Sequence, residues 1–295
     1  MAKKGLIYAL LSALLLSTMN LLVKMLGANI PSGEIAFFRG LFGTVAVFVV
    51  MYMKGIRFST EDRGLLVMRG LYGGFGMVCN FIALVHMKMS DATILFQTSG
   101  IFVFIFSAFF LKERVPKGAG KWLILIFIAV MVMVNPFSYS GFTWYALVAI
   151  LGAALSAAAY TTIRSISKHG QHSNFEIMAY FLITGMIAGL VTTDGFVMPQ
   201  GQEWLIITAI GGITVVAQFF LTGAFVTTNA VVAQFLQYVG VFISSFYGFL
   251  FFGESLSIET VGAGIAMFVA SVMLARLKEQ DGPIRAGKII EEKTK

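Results

Sequence analysis

The segment that decides the fold is MAKKGLIYALLSALLLSTMNLLVKML, residues 1–26. Two lysines precede an apolar run that continues to Leu26, and a helix needs about 20 apolar residues to cross a bilayer. A cleaved signal peptide has only about 7–15 apolar residues before a small-residue cleavage site. The segment therefore predicts a first membrane-spanning helix over residues 5–26.

The composition of the whole chain agrees with this first segment. Of the 295 residues, 58% are hydrophobic and only 12% are charged, and the mean hydropathy is +0.87. A soluble domain carries about 25% charged residues, so this composition excludes a soluble enzyme, a secreted disulfide scaffold and a nucleic-acid-binding protein. The long apolar runs also lack the short alternation of an outer-membrane barrel. The sequence predicts an all-α integral membrane protein.

Nine further apolar runs follow the first one, and their connections are too short to form domains. Function is therefore expected within the membrane. The ten predicted spans are 5–26, 35–53, 64–85, 93–111, 122–134, 142–163, 175–191, 205–226, 231–252 and 258–275.

The distribution of lysine and arginine predicts the orientation of these spans. Seventeen of the 21 basic residues fall in alternate connections and the two termini, whereas the opposite connections contain only Lys88. Cytoplasmic loops carry an excess of basic residues, so both termini are predicted to be cytoplasmic, with residues 277–295 as a solvated tail. The net charge of +7 is thus a topology signal, and we expect no nucleic-acid partner.

The two halves of the chain match each other when they are shifted by about 140 residues. Each half contains five predicted spans, an odd number, so the second half enters the membrane from the opposite side. Such inverted repeats are typical of secondary transporters. They predict two units, residues 5–135 and 142–276. The matched pairs are Lys24 with Arg164, Glu34 with Glu176, Gly73-Gly74 with Gly211-Gly212, Asn80 with Gln218, and Glu113 with Glu254.

Two segments resemble the fourth-helix signature of the EamA family in the drug/metabolite transporter superfamily. The first runs from DATIL (residues 91–95) to LKERV (111–115), and the second from AQFLQY (233–238) to FGE (252–254). The resemblance covers residues 5–276. It departs at Gly100 and Val241, where a helix-kinking proline is expected.

The resemblance implies a ten-helix fold that moves small organic solutes, often amino acids or other metabolites and commonly outward. It also implies a central cavity between the first, third, fourth, sixth, eighth and ninth helices. The fifth and tenth helices are then peripheral and allow a homodimer.

Three basic residues, Lys24, Arg39 and Arg69, lie within predicted spans. Charges in spanning helices usually face the bundle interior or a water-filled cavity. One interpretation is pairing, for example of Lys24 with Glu34 or of Arg39 with Asp91. The other is an unpaired cation that binds a carboxylate or phosphate, for which the planar guanidinium of arginine is well suited. Arg69 is the best candidate for this role.

Uncharged polar residues within the spans complete the predicted substrate site. Their hydrogen-bonding groups would be unsatisfied in lipid, so they should turn inward. The alternative for each is an interhelical hydrogen bond worth about 0.6 kcal/mol. These candidate substrate-binding residues are Asn20, Tyr72, Asn80, Gln97, Tyr160, Gln218, Gln234, Gln237 and Tyr238.

The sequence contains no phosphate-binding loop, paired catalytic acids or metal-ligand cluster in the spans, so we expect no enzyme, cofactor or metal. No acidic or histidine residue lies at mid-membrane, which favours facilitated diffusion or exchange over proton antiport. We predict a secondary transporter of the bacterial inner membrane that exports small polar metabolites, such as amino acids or related compounds, by alternating access. The alternatives are an organic-anion carrier for carboxylates or nucleotide-like solutes, an intramembrane enzyme, and a membrane scaffold without a cavity.

Overall fold

The computed structural model describes residues 2–110, 118–134, 143–169, 172–193, 195–227, 230–255 and 258–281. All regular secondary structure in these ranges is helical, as the sequence predicts. The helices are α1 (Ala2–Leu26), α2 (Ser32–Met53), α3 (Arg63–His86), α4 (Met89–Phe96), α5 (Ser99–Phe110), α6 (Ala119–Val134), α7 (Trp144–His169), α8 (Asn174–Thr192), α9 (Gln202–Thr227), α10 (Ala230–Leu236), α11 (Val239–Phe252) and α12 (Ile258–Asp281).

Seven segments of the described chain are long and apolar enough to cross a membrane, and one of them is the α4–α5 pair. Three shorter apolar helices, at Ala119–Ala129, Val239–Phe252 and Ile258–Leu274, accompany them. Helix α12 continues to Asp281, so the first residues of the predicted tail are helical. The rest of that tail lies outside the described residues.

The helices pack in pairs that draw on both halves of the chain. Helix α3 packs along α7, α1 along α9, and α2 along α8, while α6 packs mainly on α12 at the periphery. A Cβ atom on Gly40 of α2 would lie 2.6 Å from the backbone nitrogen of Met186 on α8. Backbone approach this close requires glycine. In contrast, a Cβ atom on Gly212 would have no neighbour within 4 Å, so Gly212 is not a packing glycine.

Two breaks interrupt helices that the sequence predicts to be continuous. The first, at Gln97 and Thr98, separates α4 from α5, and the second, at Gln237 and Tyr238, separates α10 from α11. Each break closes with tight turns: the Gly100 N–H donates to the Gln97 carbonyl (3.0 Å), and the Gly240 N–H donates to the Gln237 carbonyl (2.9 Å). Both helices bend without proline at the break, and the two breaks occupy matching positions in the two halves.

Two glutamates that match between the halves make equivalent contacts. Glu34, in the first turn of α2, accepts a hydrogen bond from the Val197 backbone N–H (2.8 Å) in the α8–α9 connection. Glu176, in the first turn of α8, accepts one from the Ser59 backbone N–H (2.6 Å) in the α2–α3 connection. Each carboxylate therefore anchors the connection contributed by the other half.

Candidate substrate-binding site

A central cavity of about 90 Å³ lies where α1, α2, α3, α4, α7, α8, α9, α10 and the start of α11 meet. Sites for small organic ligands are typically about 300–1,000 Å³, so the cavity must widen before a metabolite enters. Its polar lining consists of Ser17, Asn20, Arg39, Arg69, Asn80, Thr93, Gln97, Ser156, Tyr160, Gln218, Gln234 and Gln237.

Arg39 extends from α2 into this cavity and is 2% exposed. Its Nε donates to the Met19 sulfur (3.4 Å) and its Nη1 donates to the Met77 sulfur. The guanidinium carbon lies 5.7 Å from the Phe81 ring centroid and 5.3 Å from that of Phe181. The predicted pairing of Arg39 with Asp91 is wrong. Asp91, on α4, instead accepts a hydrogen bond from the Thr260 hydroxyl of α12.

Arg69 enters the same cavity from α3 and is 1% exposed. Its guanidinium carbon lies 4.5 Å from the Phe181 ring centroid. Nε and Nη1 have no hydrogen-bond partner within the described parts of the chain. Gly73, one turn later on α3, makes room for this conformation, since a Cβ atom there would collide with Nη1 of Arg69.

The two guanidinium groups keep their charges available to a ligand. Thioether sulfurs are weak acceptors, and aromatic rings attract cations without neutralising them. The residues that line the cavity include no aspartate or glutamate. The cavity therefore presents two cations that no carboxylate of the lining compensates, an arrangement suited to bidentate binding of a carboxylate or phosphate.

Three side-chain amides in the cavity are also available to a ligand. Asn20, Asn80 and Gln218 come from α1, α3 and α9, and none takes part in a hydrogen bond between residues that the structure describes. Buried polar groups are ordinarily hydrogen-bonded. The Tyr160 ring stacks on Phe225 at a centroid separation of 4.5 Å and forms one wall. These groups provide polar contacts beside the two arginines.

The remaining glutamines of the lining connect the two helix breaks. Gln234 Nε2 donates to Gln97 Oε1 and to the Ser99 hydroxyl, both at 2.9 Å. Gln97 Nε2 donates to the Gln237 carbonyl at 2.7 Å, and the Tyr238 hydroxyl donates to the Gln97 carbonyl at 3.0 Å. Carbonyls that the breaks expose are thus satisfied across the bundle, which lets irregular backbone persist at membrane depth.

Three of the predicted site residues lie outside the cavity lining: Lys24, Tyr72 and Tyr238. Tyr238 instead borders a second, apolar cavity of about 420 Å³ between α4, α11 and α12. Lys24 is engaged elsewhere: its Nζ lies 2.6 Å from Glu254 Oε1 and donates to the Met87 carbonyl. The predicted pairing of Lys24 with Glu34 is therefore wrong.

The lining also contains functional candidates that sequence reasoning missed. The Phe181 ring contacts both guanidinium groups, and the sulfurs of Met19 and Met77 accept hydrogen bonds from that of Arg39. One phenylalanine among 29 and two methionines among 16 have no distinguishing sequence signal. The only available signal was the Arg69–Gly73 spacing, one helical turn, which leaves space beside the charged side chain.

The EamA-like transporter family matches the chain twice, over residues 3–135 and 144–276. The chain belongs to this family. This is a family of membrane transporters rather than enzymes. The apolar helices of the described chain and its internal polar cavity agree with membership of this family.

The names of individual relatives specify different substrates. The chain is 35% identical to the pseudopaline exporter CntI of Pseudomonas aeruginosa, over 94% of this chain and 98% of the exporter. It is 28% identical to a riboflavin transporter of Brucella anthropi (84% and 89% covered) and 27% identical to an S-adenosylmethionine uptake transporter of Rickettsia prowazekii (92% of each). The chain is a multi-pass transporter of the bacterial inner membrane.

One solved crystal structure has the same fold. It superposes with a TM-score of 0.68 at 16% identity, covering 95% of this chain and 99% of the other. At this identity the likeness concerns the fold alone.

Proposed function

We propose that the chain is a secondary transporter built from ten spanning helices in two inverted five-helix repeats, with both termini cytoplasmic. The units are residues 5–135 and 142–276, followed by the tail 277–295, and each broken helix pair counts as one span. The double family match, the matching helix breaks and the equivalent contacts of Glu34 and Glu176 support this arrangement. Two such halves can expose a central site alternately to either side.

The central cavity is the proposed substrate site, and the observation that carries this proposal is its pair of uncompensated arginines. Burying a charge within a spanning helix is costly, and the charges that are found there usually mark a functional site. Of the predicted site residues, we retain those that line the cavity and set aside Lys24, Tyr72 and Tyr238. The retained residues are Asn20, Arg39, Arg69, Asn80, Gln97, Tyr160, Gln218, Gln234 and Gln237.

The proposed cargo is a small polar organic metabolite, an amino acid or a related compound, and the proposed direction is export. A carboxylate of such a compound would bind the arginines, and its uncharged polar groups would bind Asn20, Asn80 and Gln218. The 35% identity to an exporter over nearly the whole of both chains supports the direction. A second candidate is an organic-anion carrier or exchanger, which the cationic, acid-free lining of the cavity favours.

Association of two copies through the peripheral helices α6 and α12 is a separate proposal. These helices pack mainly on each other, and side chains such as Ile124, Phe127 and Ile265 are exposed. Crosslinking of the purified transporter in lipid nanodiscs would distinguish a dimer from a monomer.

Efflux from proteoliposomes tests the proposed function. Vesicles containing the purified protein are loaded with labelled amino acids, dicarboxylates and nucleotides, and release of each is measured against protein-free vesicles. We expect release of a subset of the compounds that carry a carboxylate, and we expect Asn80→Ala with Gln218→Ala to slow this release at least tenfold. Gln200→Ala, in the exposed α8–α9 connection, is the matched control. Release of nothing beyond the protein-free rate, or full activity of the double variant, would contradict the proposal.

A further inference from the structure

The charge balance of the central cavity constrains the substrate further than its polarity alone. Arg39 and Arg69 contribute two positive charges, and no lining residue contributes a negative one. The four buried or partly buried glutamates whose side chains the structure describes lie at helix ends and accept hydrogen bonds from backbone N–H groups: Glu34, Glu176, Glu203 and Glu254. They are therefore engaged away from the cavity.

The contacts of Arg39 and Arg69 bring their two positive charges close to the same aromatic ring. Both guanidinium carbons lie over the same ring, at 5.3 and 4.5 Å from the centroid of Phe181. Two like charges in a low-dielectric bundle repel each other, and the ring and the thioethers reduce this repulsion without neutralising either charge. One carboxylate bound between the arginines would still leave a net positive charge. Two anionic groups would balance it.

We propose that the substrate is a dicarboxylate with two net negative charges and that the membrane potential drives its export. This inference rests on the proposed function and specifies the charge and the driving force of the same site. Each guanidinium binds one carboxylate, and the free amides of Asn20, Asn80 and Gln218 bind the uncharged part of the molecule. The arginines stay with the protein, so each transport cycle moves the charge of the substrate alone.

The consequence for energetics is large. The interior of a bacterium is electrically negative, and moving an anion outward is favourable by roughly 50-fold in concentration ratio for each charge at 100 mV. Two charges give a ratio of roughly 2,000-fold. A transporter of this kind needs no proton-binding residue in its cavity. The driving force follows from the charge of the cargo.

Binding of a matched ligand series tests the charge of the substrate. The probes are the unbranched dicarboxylates from malonate to adipate, with their monoamides and diamides, and binding is measured by calorimetry on the purified protein in nanodiscs. We expect at least one dicarboxylate to bind tenfold more tightly than its monoamide, and the diamide to bind weakest. Arg39→Gln and Arg69→Gln should each abolish the preference for dicarboxylate over monoamide. Gln200→Ala should retain it. If no dicarboxylate binds more tightly than its monoamide, the inference is overturned.

Flux under an imposed potential tests the driving force separately. Proteoliposomes loaded with the best-bound dicarboxylate receive an inside-negative or inside-positive potassium diffusion potential from valinomycin. We expect efflux to be at least fivefold faster with the inside negative. An efflux rate that is the same under both potentials would overturn electrogenic export and leave the proposed transport function unaffected. If none of the labelled amino acids, dicarboxylates or nucleotides leaves the vesicles, the proposed transport function itself would be contradicted.

Discussion

Lys24 Nζ lies 2.6 Å from Glu254 Oε1, and this ion pair joins the end of α1 to the end of α11. The lysine also donates to the Met87 carbonyl, and the Met89 backbone N–H donates to the second oxygen of Glu254 at 2.8 Å. The two side chains are only 12% and 11% exposed. One pair of residues therefore ties together the ends of three spans on the side proposed to be external.

Removing this ion pair should open the external side of the cavity more often. An ion pair that water still reaches contributes up to about 1 kcal/mol, which corresponds to a change of about fivefold in population. We expect Lys24→Met to raise, by about that factor, the rate at which a membrane-impermeant thiol reagent modifies a cysteine placed at Leu16, a lining residue. The measurement uses a Cys79→Ala background, because Cys79 is the native cysteine.

Lys88→Met is the matched control for this variant, because Lys88 is exposed and, among the described residues, its ammonium donates to the Ser255 carbonyl alone, at 3.3 Å. The exchanged pair Lys24→Glu with Glu254→Lys should not restore the wild-type rate, because the exchange places a carboxylate against the Met87 carbonyl and an ammonium against the Met89 N–H. An unchanged rate in Lys24→Met would show that the pair does not control access.

Gly73→Ala should impair binding by displacing the Arg69 guanidinium. The added methyl group collides with Nη1 of Arg69 and lies 2.7 Å from the Phe181 ring. We expect at least a tenfold weaker affinity for the best-bound dicarboxylate, measured by calorimetry. Gly212→Ala is the control: its methyl group meets nothing within 4 Å, and alanine favours a helix by up to about 1 kcal/mol over glycine. Equal affinity in the two variants would contradict the assigned role of Gly73.

Met77→Leu should weaken anion binding without unfolding the transporter. Leucine nearly conserves the volume of methionine, and such exchanges usually cost less than about 1.5 kcal/mol. The sulfur that accepts from Arg39 is lost, so the guanidinium becomes less well positioned. We expect a three- to tenfold loss of affinity and a small change in melting temperature. Met68→Leu, at an exposed position of the same helix, should change neither quantity.

The hydrogen bond between Gln234 and Gln97 should show energetic coupling. Interhelical hydrogen bonds in membranes average about 0.6 kcal/mol and reach about 1.7 kcal/mol. We expect Gln97→Leu and Gln234→Leu to destabilise the protein individually, and the double variant to be more stable than the sum of the two losses predicts. Unfolding in detergent monitored by circular dichroism provides the four free energies. Thr208→Val is the control, because Thr208 is exposed on α9 and its hydroxyl donates to the Trp204 carbonyl of the same helix. Strict additivity would indicate that the two amides act independently.

Hydropathy alone was enough to predict the helical fold and the location of the apolar segments, because lipid requires about 20 apolar residues at each crossing. The breaks at Gln97 and Gln237 could not be predicted in this way. No proline marks them, and the groups that satisfy their exposed carbonyls come from distant parts of the chain.

The polar residues of the site were predictable as a group, since amides and charges avoid lipid. Their individual partners were not. Lys24 pairs with Glu254 rather than Glu34, because helix packing brings the ends of α1 and α11 together. Phe181 becomes part of the site only through the packing of α8 against α3.

The hydrogen bonds between the two broken helices also bear on the timing of any movement. The carbonyl of one break and the amide of the other are a single donor–acceptor pair, Gln97 Nε2 to Gln237 O. Neither helix can straighten at its break without releasing a partner that belongs to the other half of the molecule. We therefore expect the two breaks to rearrange together rather than one after the other.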